Sequence, residues 1–103
     1  MAYKLTIPEH TEHQIDQCIS YIVNTLRIPS AAGAVLDDIE HTYSKLEKMA
    51  ESFAFCDDPY LRSKRYRKLA LEKHDYLFIY RVDGETVYLA GFFHMLENYR
   101  TKL

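Results

Sequence analysis

The spacing of apolar residues in the first third of the chain predicts one strand and one helix. Residues 3–7 alternate between apolar and polar side chains, as a half-buried strand does, and Pro8 ends the run. From residue 9 to about residue 27, apolar residues recur every three or four positions, which is typical of a helix with one buried stripe. That stripe consists of Ile15, Cys18, Ile19, Ile22, Val23 and Leu26.

A second helix is predicted to begin at Pro29 and Ser30 and to keep the same period for about six turns. Because only about three residues connect the two helices, they must fold back as an antiparallel hairpin. Each helix has one apolar stripe, so both need a common surface to cover, and a sheet is the expected surface. The second stripe consists of Ala32, Val35, Leu36, Ile39, Tyr43, Leu46, Ala50 and Phe53.

The second half of the chain supplies the strands of that sheet. Residues 54–64 predict a loop, and strand-like runs rich in β-branched and aromatic residues follow at about 65–71, 76–82 and 86–94. Asp83 and Gly84 predict a type I′ turn between the last two strands, and residues 96–103 predict a short polar tail.

The predicted fold is therefore α+β with the order β-α-α-β-β-β. It is a helical hairpin packed on one face of a small, largely antiparallel sheet, in a single domain that spans residues 1–103. Strand parity places Tyr76, Phe78, Tyr80 and Val82 under the helices and leaves Arg81 on an open face.

The composition is that of an ordinary globular protein rather than of a disordered one. The 103 residues are 48% hydrophobic and 27% charged. No apolar run is long enough to span a bilayer, and the N-terminus lacks the apolar core of a secretory signal. Cys18 and Cys56 are too far apart for a metal-binding or redox pair. We therefore expect a reduced, cytoplasmic protein with no cofactor and no metal site.

The charge is unevenly distributed along the chain. Residues 1–58 hold 4 lysines and arginines against 10 acids, whereas residues 59–103 hold 9 against 5. A basic second half can create a local field that attracts polyanions, although charged residues also commonly protect a sheet edge. Composition alone leaves both interpretations open. The densest basic segment contains Arg62, Lys64, Arg65, Arg67 and Lys68.

Several passages resemble the RelE/ParE superfamily of bacterial type II toxins. Residues 30–39 are similar to the second helix of these toxins, residues 65–69 to their first hairpin strand, and residues 76–83 to their central strand. His94 and Tyr99 match the C-terminal His-x4-Tyr pattern of the family. The resemblance covers nearly the whole chain in the same element order.

The resemblance implies a toxin that is held inactive, in an oligomer, by a co-expressed antitoxin. Members of the superfamily act in two ways. RelE-like members enter the ribosome and cut mRNA, whereas ParE-like members inhibit DNA gyrase. Our leading hypothesis from the sequence is a ribosome-dependent mRNA endonuclease, with ribosome and mRNA as partners.

Metal-free RNA cleavage needs a base for the 2′-hydroxyl, a cation for the phosphate and an acid for the leaving oxygen. The catalytic candidates are Arg81, His94 and Tyr99, and convergence of neighbouring strand ends could bring them together. We expect Arg67 and Arg81 to be at least partly exposed, so that their replacement by alanine reduces toxicity and leaves the fold intact. The candidate phosphate-binding residues are Lys64, Arg65, Arg67, Lys68 and Arg100.

Departures from the RelE-like pattern favour two alternatives. Leu69 and Leu77 stand where RelE-like enzymes carry a lysine and an arginine, and Arg81 lies on the same face as Leu77 but four residues later. The long helical hairpin also looks more ParE-like. The alternatives are a non-catalytic gyrase inhibitor and a degenerate toxin that only binds antitoxin, and in both His94 could serve in packing or capping.

Overall fold

The computed structural model describes residues 2–103. Its strands are β1 (Lys4–Thr6), β2 (Arg67–Ala70), β3 (Tyr76–Asp83) and β4 (Thr86–His94), and its helices are α1 (Glu9–Ser20), α2 (Pro29–Met49) and α3 (Pro59–Ser63). A π-helical turn, Tyr21–Thr25, continues α1, and a 3-10 turn, Ala50–Ser52, continues α2. A last 3-10 turn spans Tyr99–Lys102.

The four strands form one mixed sheet in the order β1-β4-β3-β2. Strands β2, β3 and β4 form an antiparallel meander, and β1 pairs with β4 in parallel. The helical hairpin of α1 and α2 covers one face of the sheet. The α+β architecture with helices packed on a sheet is therefore confirmed.

The main core lies between the hairpin and the sheet. Ile15 and Ile22 from the first helical segment and Val35 and Ile39 from α2 are buried against the sheet. Fully buried Tyr80 also donates its hydroxyl proton to the carbonyl oxygen of Ala50, 2.6 Å away. A buried hydroxyl left without such a partner would be costly, so this bond fixes the end of α2 on β3. Leu36 departs from the predicted stripe, because its side chain is 44% exposed.

The opposite face of the sheet is not open, contrary to the sequence expectation. Leu77 and Ile79 of β3 are buried there against Cys56, Leu61 and Phe93 in a second, smaller core. Two segments that lacked a sequence pattern cover it, namely the expected loop 54–64, which contains α3, and the expected polar tail, which contributes Tyr99 and Leu103.

Helix α3 was not predicted, because five residues are too few to show the spacing of apolar residues that is typical of a helix. Its start is nevertheless encoded locally. The Asp58 carboxylate accepts hydrogen bonds from the backbone N–H groups of Tyr60 (2.9 Å) and Leu61 (3.2 Å), and Pro59 occupies the first helical turn.

The turn between β3 and β4 lies one residue later than predicted. Asp83 pairs with Thr86, so the two loop residues are Gly84 and Glu85. Only Gly84 has a positive φ, +60°. Glycine at the first loop position with a positive φ is typical of a type II′ turn, whereas the predicted type I′ turn needs a positive φ at both positions.

Side chains of α1 complete the edge of β4 that β1 leaves uncovered. The three residues of β1 reach only as far as Tyr88. Beyond that point Thr11 donates to the carbonyl of Leu89 (2.8 Å), the His10 ring lies 2.7 Å from the carbonyl of Ala90, and Gln14 accepts from the N–H of Phe92 (2.9 Å). Polar helix side chains thus take the place of a strand.

Within residues 2–103, no helix is long and apolar enough to cross a membrane.

A buried carboxylate attaches the turn between β2 and β3 to α2. The side chain of Asp38 is 2% exposed and accepts hydrogen bonds from the N–H groups of Glu72 (3.2 Å) and Lys73 (2.8 Å) and from the ring of His74 (2.7 Å). Burial raises the pKa of Asp38, but the bonds from His74, Lys73 and Glu72 together outweigh it and hold the pKa below the ordinary value of 3.8.

We expect the replacement of Ile39 by alanine to lower the free energy of unfolding by about 2–5 kcal/mol, because it leaves a cavity in the main core. The matched control is Leu36→Ala on the same helix, which should change stability by about 0.5 kcal/mol or less, since Leu36 is half-exposed. Urea denaturation of both variants measures the difference. Equal losses would contradict the burial pattern of α2.

We expect Asp38→Asn to destabilise the protein near neutral pH by about 1–3 kcal/mol, because bonds to the buried carboxylate are lost. A carboxyl whose folded pKa is depressed stabilises fully above its unfolded pKa, and this contribution disappears as the pH falls through the folded pKa. The difference in Tm between wild type and variant should therefore shrink from about pH 5 downward. A constant difference down to the acid limit would contradict this role of Asp38.

Candidate functional site

A row of three side chains crosses the sheet on the face opposite α1 and α2. Arg81 of β3 stands opposite Tyr88 of β4, and Tyr66, which directly precedes β2, lies on its other side. The guanidinium carbon of Arg81 is 5.7 Å from the ring centroid of Tyr88 and 5.8 Å from that of Tyr66. These distances are within the range of cation–π attraction. Tyr66, Arg81 and Tyr88 are called the Tyr–Arg–Tyr row below.

His94 lies at the end of β4 and on the helix side of the sheet. Its ring meets the ring of Tyr76 edge-on, with centroids 5.3 Å apart. Its Nδ1 accepts a hydrogen bond from the N–H of Leu96 (3.1 Å), and its own backbone N–H donates to the Glu97 carboxylate (3.0 Å). The imidazole therefore caps the turn that follows β4, with Nδ1 already engaged.

A cleft of about 450 Å³ adjoins His94 between α1 and the C-terminal turn. Tyr76 lies in its wall, where a hydrogen bond with Cys18 and burial raise the pKa of Tyr76 to about 12. At its rim, the ammonium group of Lys102 lowers the pKa of Glu97 and pairs with it at 2.5 Å. Within this cleft, Tyr76 thus stays protonated at neutral pH, and the carboxylate of Glu97 is neutralised by its partner.

Tyr99 lies on the other face of the sheet, where its ring stacks on Phe93 with centroids 5.6 Å apart. The structure does not bring Arg81, His94 and Tyr99 together. His94 of β4 pairs with Tyr76 of β3. Arg81 lies five residues farther along β3, roughly 17 Å from Tyr76. His94 also faces the helices, whereas the other two face away from them. The expected convergence of strand ends is therefore absent.

Arg67 has a structural role that the sequence did not indicate. Its Nη1 donates to the backbone carbonyls of Phe53 (2.6 Å) and Glu51 (3.2 Å), and its guanidinium stacks 4.0 Å from the centroid of the Phe55 ring. These carbonyls end the helical segment of α2, where hydrogen-bond acceptors are left over. Arg67 thus joins the end of that segment to β2.

Two other predicted phosphate-binding cations are paired with acids of the protein itself. Lys68 lies 3.0 Å from Asp57, and its hydrogen bond with this carboxylate raises the pKa of Lys68. Arg100 lies 3.2 Å from Asp58. The sequence analysis did not predict this pairing, although Asp57 and Asp58 lie in the predicted loop just before the basic segment.

The remaining two candidates are exposed and make no ion pair within residues 2–103. Lys64 lies over the ring of Tyr60, with its Nζ 5.8 Å from the ring centroid. Arg65 has a φ of +64°, in the left-handed region that favours glycine. Its N–H bonds to the carbonyl of Arg62 (2.9 Å), and the N–H of Tyr66 bonds to that of Leu61 (3.1 Å), which together form a Schellman ending of α3.

Comparison with solved structures shows a shared fold. A chain from the structure described as "Chromosomal ParDE TA system from P. aeruginosa" superposes with a TM-score of 0.73 and 20% sequence identity, over 90% of this chain and 96% of that chain. This chain therefore shares the fold of that chain. No protein-family model and no curated protein matches the sequence. At this identity the likeness concerns the backbone, so the role of each side chain of this protein depends on its own contacts.

We expect Arg67→Ala to lower the free energy of unfolding by about 1–2 kcal/mol, because two carbonyls lose a charged donor and the Phe55 ring loses its stacking partner. The sequence alone, without these contacts, predicted a smaller change in stability for this variant, about 0.5 kcal/mol or less. Lys64→Ala is the control and should change stability by about 0.5 kcal/mol or less. If urea denaturation gives equal midpoints for the two variants, the contacts of Arg67 do not support the fold.

Proposed function

We propose that this protein is the toxin of a type II toxin–antitoxin pair and that it acts by binding a target protein, DNA gyrase, rather than by cutting RNA. The shared fold with a chain of a ParDE TA system supports the toxin assignment. In the superfamily that the sequence resembles, the ParE-like members inhibit gyrase. The same resemblance implies an antitoxin as the partner that keeps the protein inactive.

The separation of the candidate catalytic groups carries this proposal. General acid–base cleavage needs both proton-transfer groups within hydrogen-bond reach of one phosphodiester, which is about 3 Å. His94 lies on the helix side of the sheet, and Arg81 and Tyr99 lie on the other side. A single scissile phosphate cannot contact side chains on both faces of a sheet. The arrangement supports a binding surface better than it supports a ribonuclease centre.

The pairing of cations gives independent support. A protein that grips a nucleic acid neutralises several phosphates with lysine and arginine side chains. Here Lys68 pairs with Asp57, Arg100 with Asp58, and Lys102 with Glu97. These pairs reduce the positive field that the basic second half of the sequence suggested. The surface is therefore less suited to a phosphate backbone than the composition indicates.

His94 fits a capping role in this proposal. Its Nδ1 accepts from Leu96, and its ring packs edge-on against Tyr76. Neither contact requires the imidazole to exchange a proton during function. The ribonuclease hypothesis, in contrast, makes proton transfer by His94 essential.

We expect His94→Gln to keep the ability to arrest growth when the protein is produced without antitoxin. Glutamine can still accept a hydrogen bond at a similar position, whereas loss of a true general acid or base costs about 10²–10⁴-fold in rate. Growth is measured after induction. With the purified protein, we measure its Tm and its inhibition of DNA supercoiling by gyrase. Supercoiling should be inhibited by wild type and variant alike.

The same proteins are then tested in a purified translation reaction, with primer extension on the mRNA. Translation should proceed without cuts. Codon-phased cuts by the wild type that disappear in His94→Gln would overturn the proposal and establish the mRNA endonuclease. An Ile39→Ala variant serves as the unfolding control, because it should lose activity and Tm together. Absence of growth arrest in every variant would indicate a degenerate toxin.

A further inference from the structure

We propose that helix α3 and the C-terminal segment form a cover over the second core that opens as one unit, and that the contacts of Arg100 with Asp58 and Tyr60 couple the two parts. This inference goes beyond the proposed function, because it concerns a motion of the free protein and holds for any target. The two parts, residues 57–64 and residues 96–103, are called the cover below.

The cover separates the second core from water. Cys56 and Phe93 of this core are 1% and 2% exposed. Leu61 of α3 packs against them, and Tyr99 and Leu103 of the C-terminal segment close the side. The first tyrosine of the Tyr–Arg–Tyr row packs at the edge of the same core. Opening of the cover would therefore expose an apolar patch of the sheet.

Neither part of the cover can keep its conformation alone. Helix α3 has five residues and the C-terminal turn has four, far fewer than the roughly 12–15 residues that an isolated helix needs in water. No residue of the C-terminal turn is buried. Each part therefore depends on the core beneath it and on the other part. Segments with few buried contacts open at a lower free energy than the whole protein unfolds.

An ion pair joins the two parts of the cover. The Arg100 Nε lies 3.2 Å from the Asp58 Oδ2, and the guanidinium carbon lies 5.4 Å from the centroid of the Tyr60 ring. The same Asp58 carboxylate caps α3 through its other oxygen, Oδ1. Arg100 therefore holds the residue at which α3 begins. Lys102, in contrast, pairs with Glu97 inside the C-terminal segment and does not connect it to α3.

This ion pair is weak enough to break and form again while the sheet stays folded. The side chains of Arg100 and Asp58 are 56% and 29% exposed. Ion pairs at such exposure contribute little to stability. The pairing of β3 with β4 extends from Tyr76 to Asp83 and involves no residue of the cover. The main core also lies on the other face of the sheet, so opening of the cover leaves both intact.

Cys56 provides a chemical reporter of this motion. It lies in the second core, so a thiol reagent reaches it only after the cover has moved. Burial also raises the pKa of the Cys56 thiol, which keeps its reaction slow in the closed state. Cys18 lies on the helix side of the sheet and is partly exposed. It is therefore an internal reference in the same sample.

The test measures alkylation of each cysteine by iodoacetamide, with mass spectrometry of the peptides, and exchange of backbone amide hydrogens, with NMR. We expect Arg100→Gln to speed alkylation of Cys56 and exchange of the α3 amides of Arg62 and Lys64 by the same factor. That factor should be about two to five, the change that loss of a surface ion pair gives. Alkylation of Cys18 and exchange in β3 and β4 should not change.

Lys102→Gln is the matched control. It removes one positive charge from the same C-terminal turn, but the ion pair that it breaks does not reach α3. Exchange of the α3 amides and alkylation of Cys56 should therefore stay at the wild-type rates. Both variants replace exposed side chains, so both should keep the Tm of the wild type within a few degrees.

Several results would overturn the proposal. Exchange of the α3 amides as slow as that of β3 and β4 would mean that the cover opens only when the whole protein unfolds. Faster exchange in the C-terminal turn of Arg100→Gln, without faster exchange in α3, would mean that the two parts move independently. Equal effects of Arg100→Gln and Lys102→Gln would exclude the contacts of Arg100 as the coupling. None of these measurements involves growth or supercoiling, so their failure is separate from failure of the proposed function.

Discussion

The parallel pairing of β1 with β4 is the constraint on which the rest of the structure depends. Two parallel neighbours cannot be joined by a tight turn, so the chain between them must cross over a face of the sheet. The hairpin of α1 and α2 lies in that crossover and buries both apolar stripes against the sheet. Because β1 is only three residues long, α1 must also satisfy the backbone groups of β4 that β1 does not reach. Polar contacts as well as apolar ones therefore fix the hairpin.

A sheet covered on both sides divides the chemistry of the molecule. The hairpin fills one face, and α3 with the C-terminal turn covers much of the other. Side chains that alternate along β3 and β4 are consequently sent to separate environments. His94 ends among the aromatic residues on the helix side, and Arg81 ends between two tyrosines on the opposite side. Residues that are close in a sequence motif need not share a site.

Much of the fold could be predicted from sequence, because long periodic segments carry their own signal. The apolar stripes of α1 and α2 and the alternation along β3 predicted the burial of side chains such as Ile39 and Phe78. The rest depended on contacts that no local pattern encodes. Helix α3 is too short for a period, and Arg67 owes its role to carbonyls of residues 51 and 53 that only the folded chain brings near it. The prediction of the candidate site was the least accurate, because the pairing of Lys68 and Arg100 with acids depends on tertiary structure.

The coverage of the sheet edges limits how another chain can associate with this one. The outer edge of β2 is occupied at Tyr66 and Lys68, whose backbone groups bond to Cys56 and Ala54. On the other side, helix side chains replace a strand along β4. A partner that extends the sheet by adding its own strand would thus find little besides the three residues of β1 and the end of β2. Short free edges resist self-assembly through strand addition, so recognition of other chains falls to side chains rather than to the backbone.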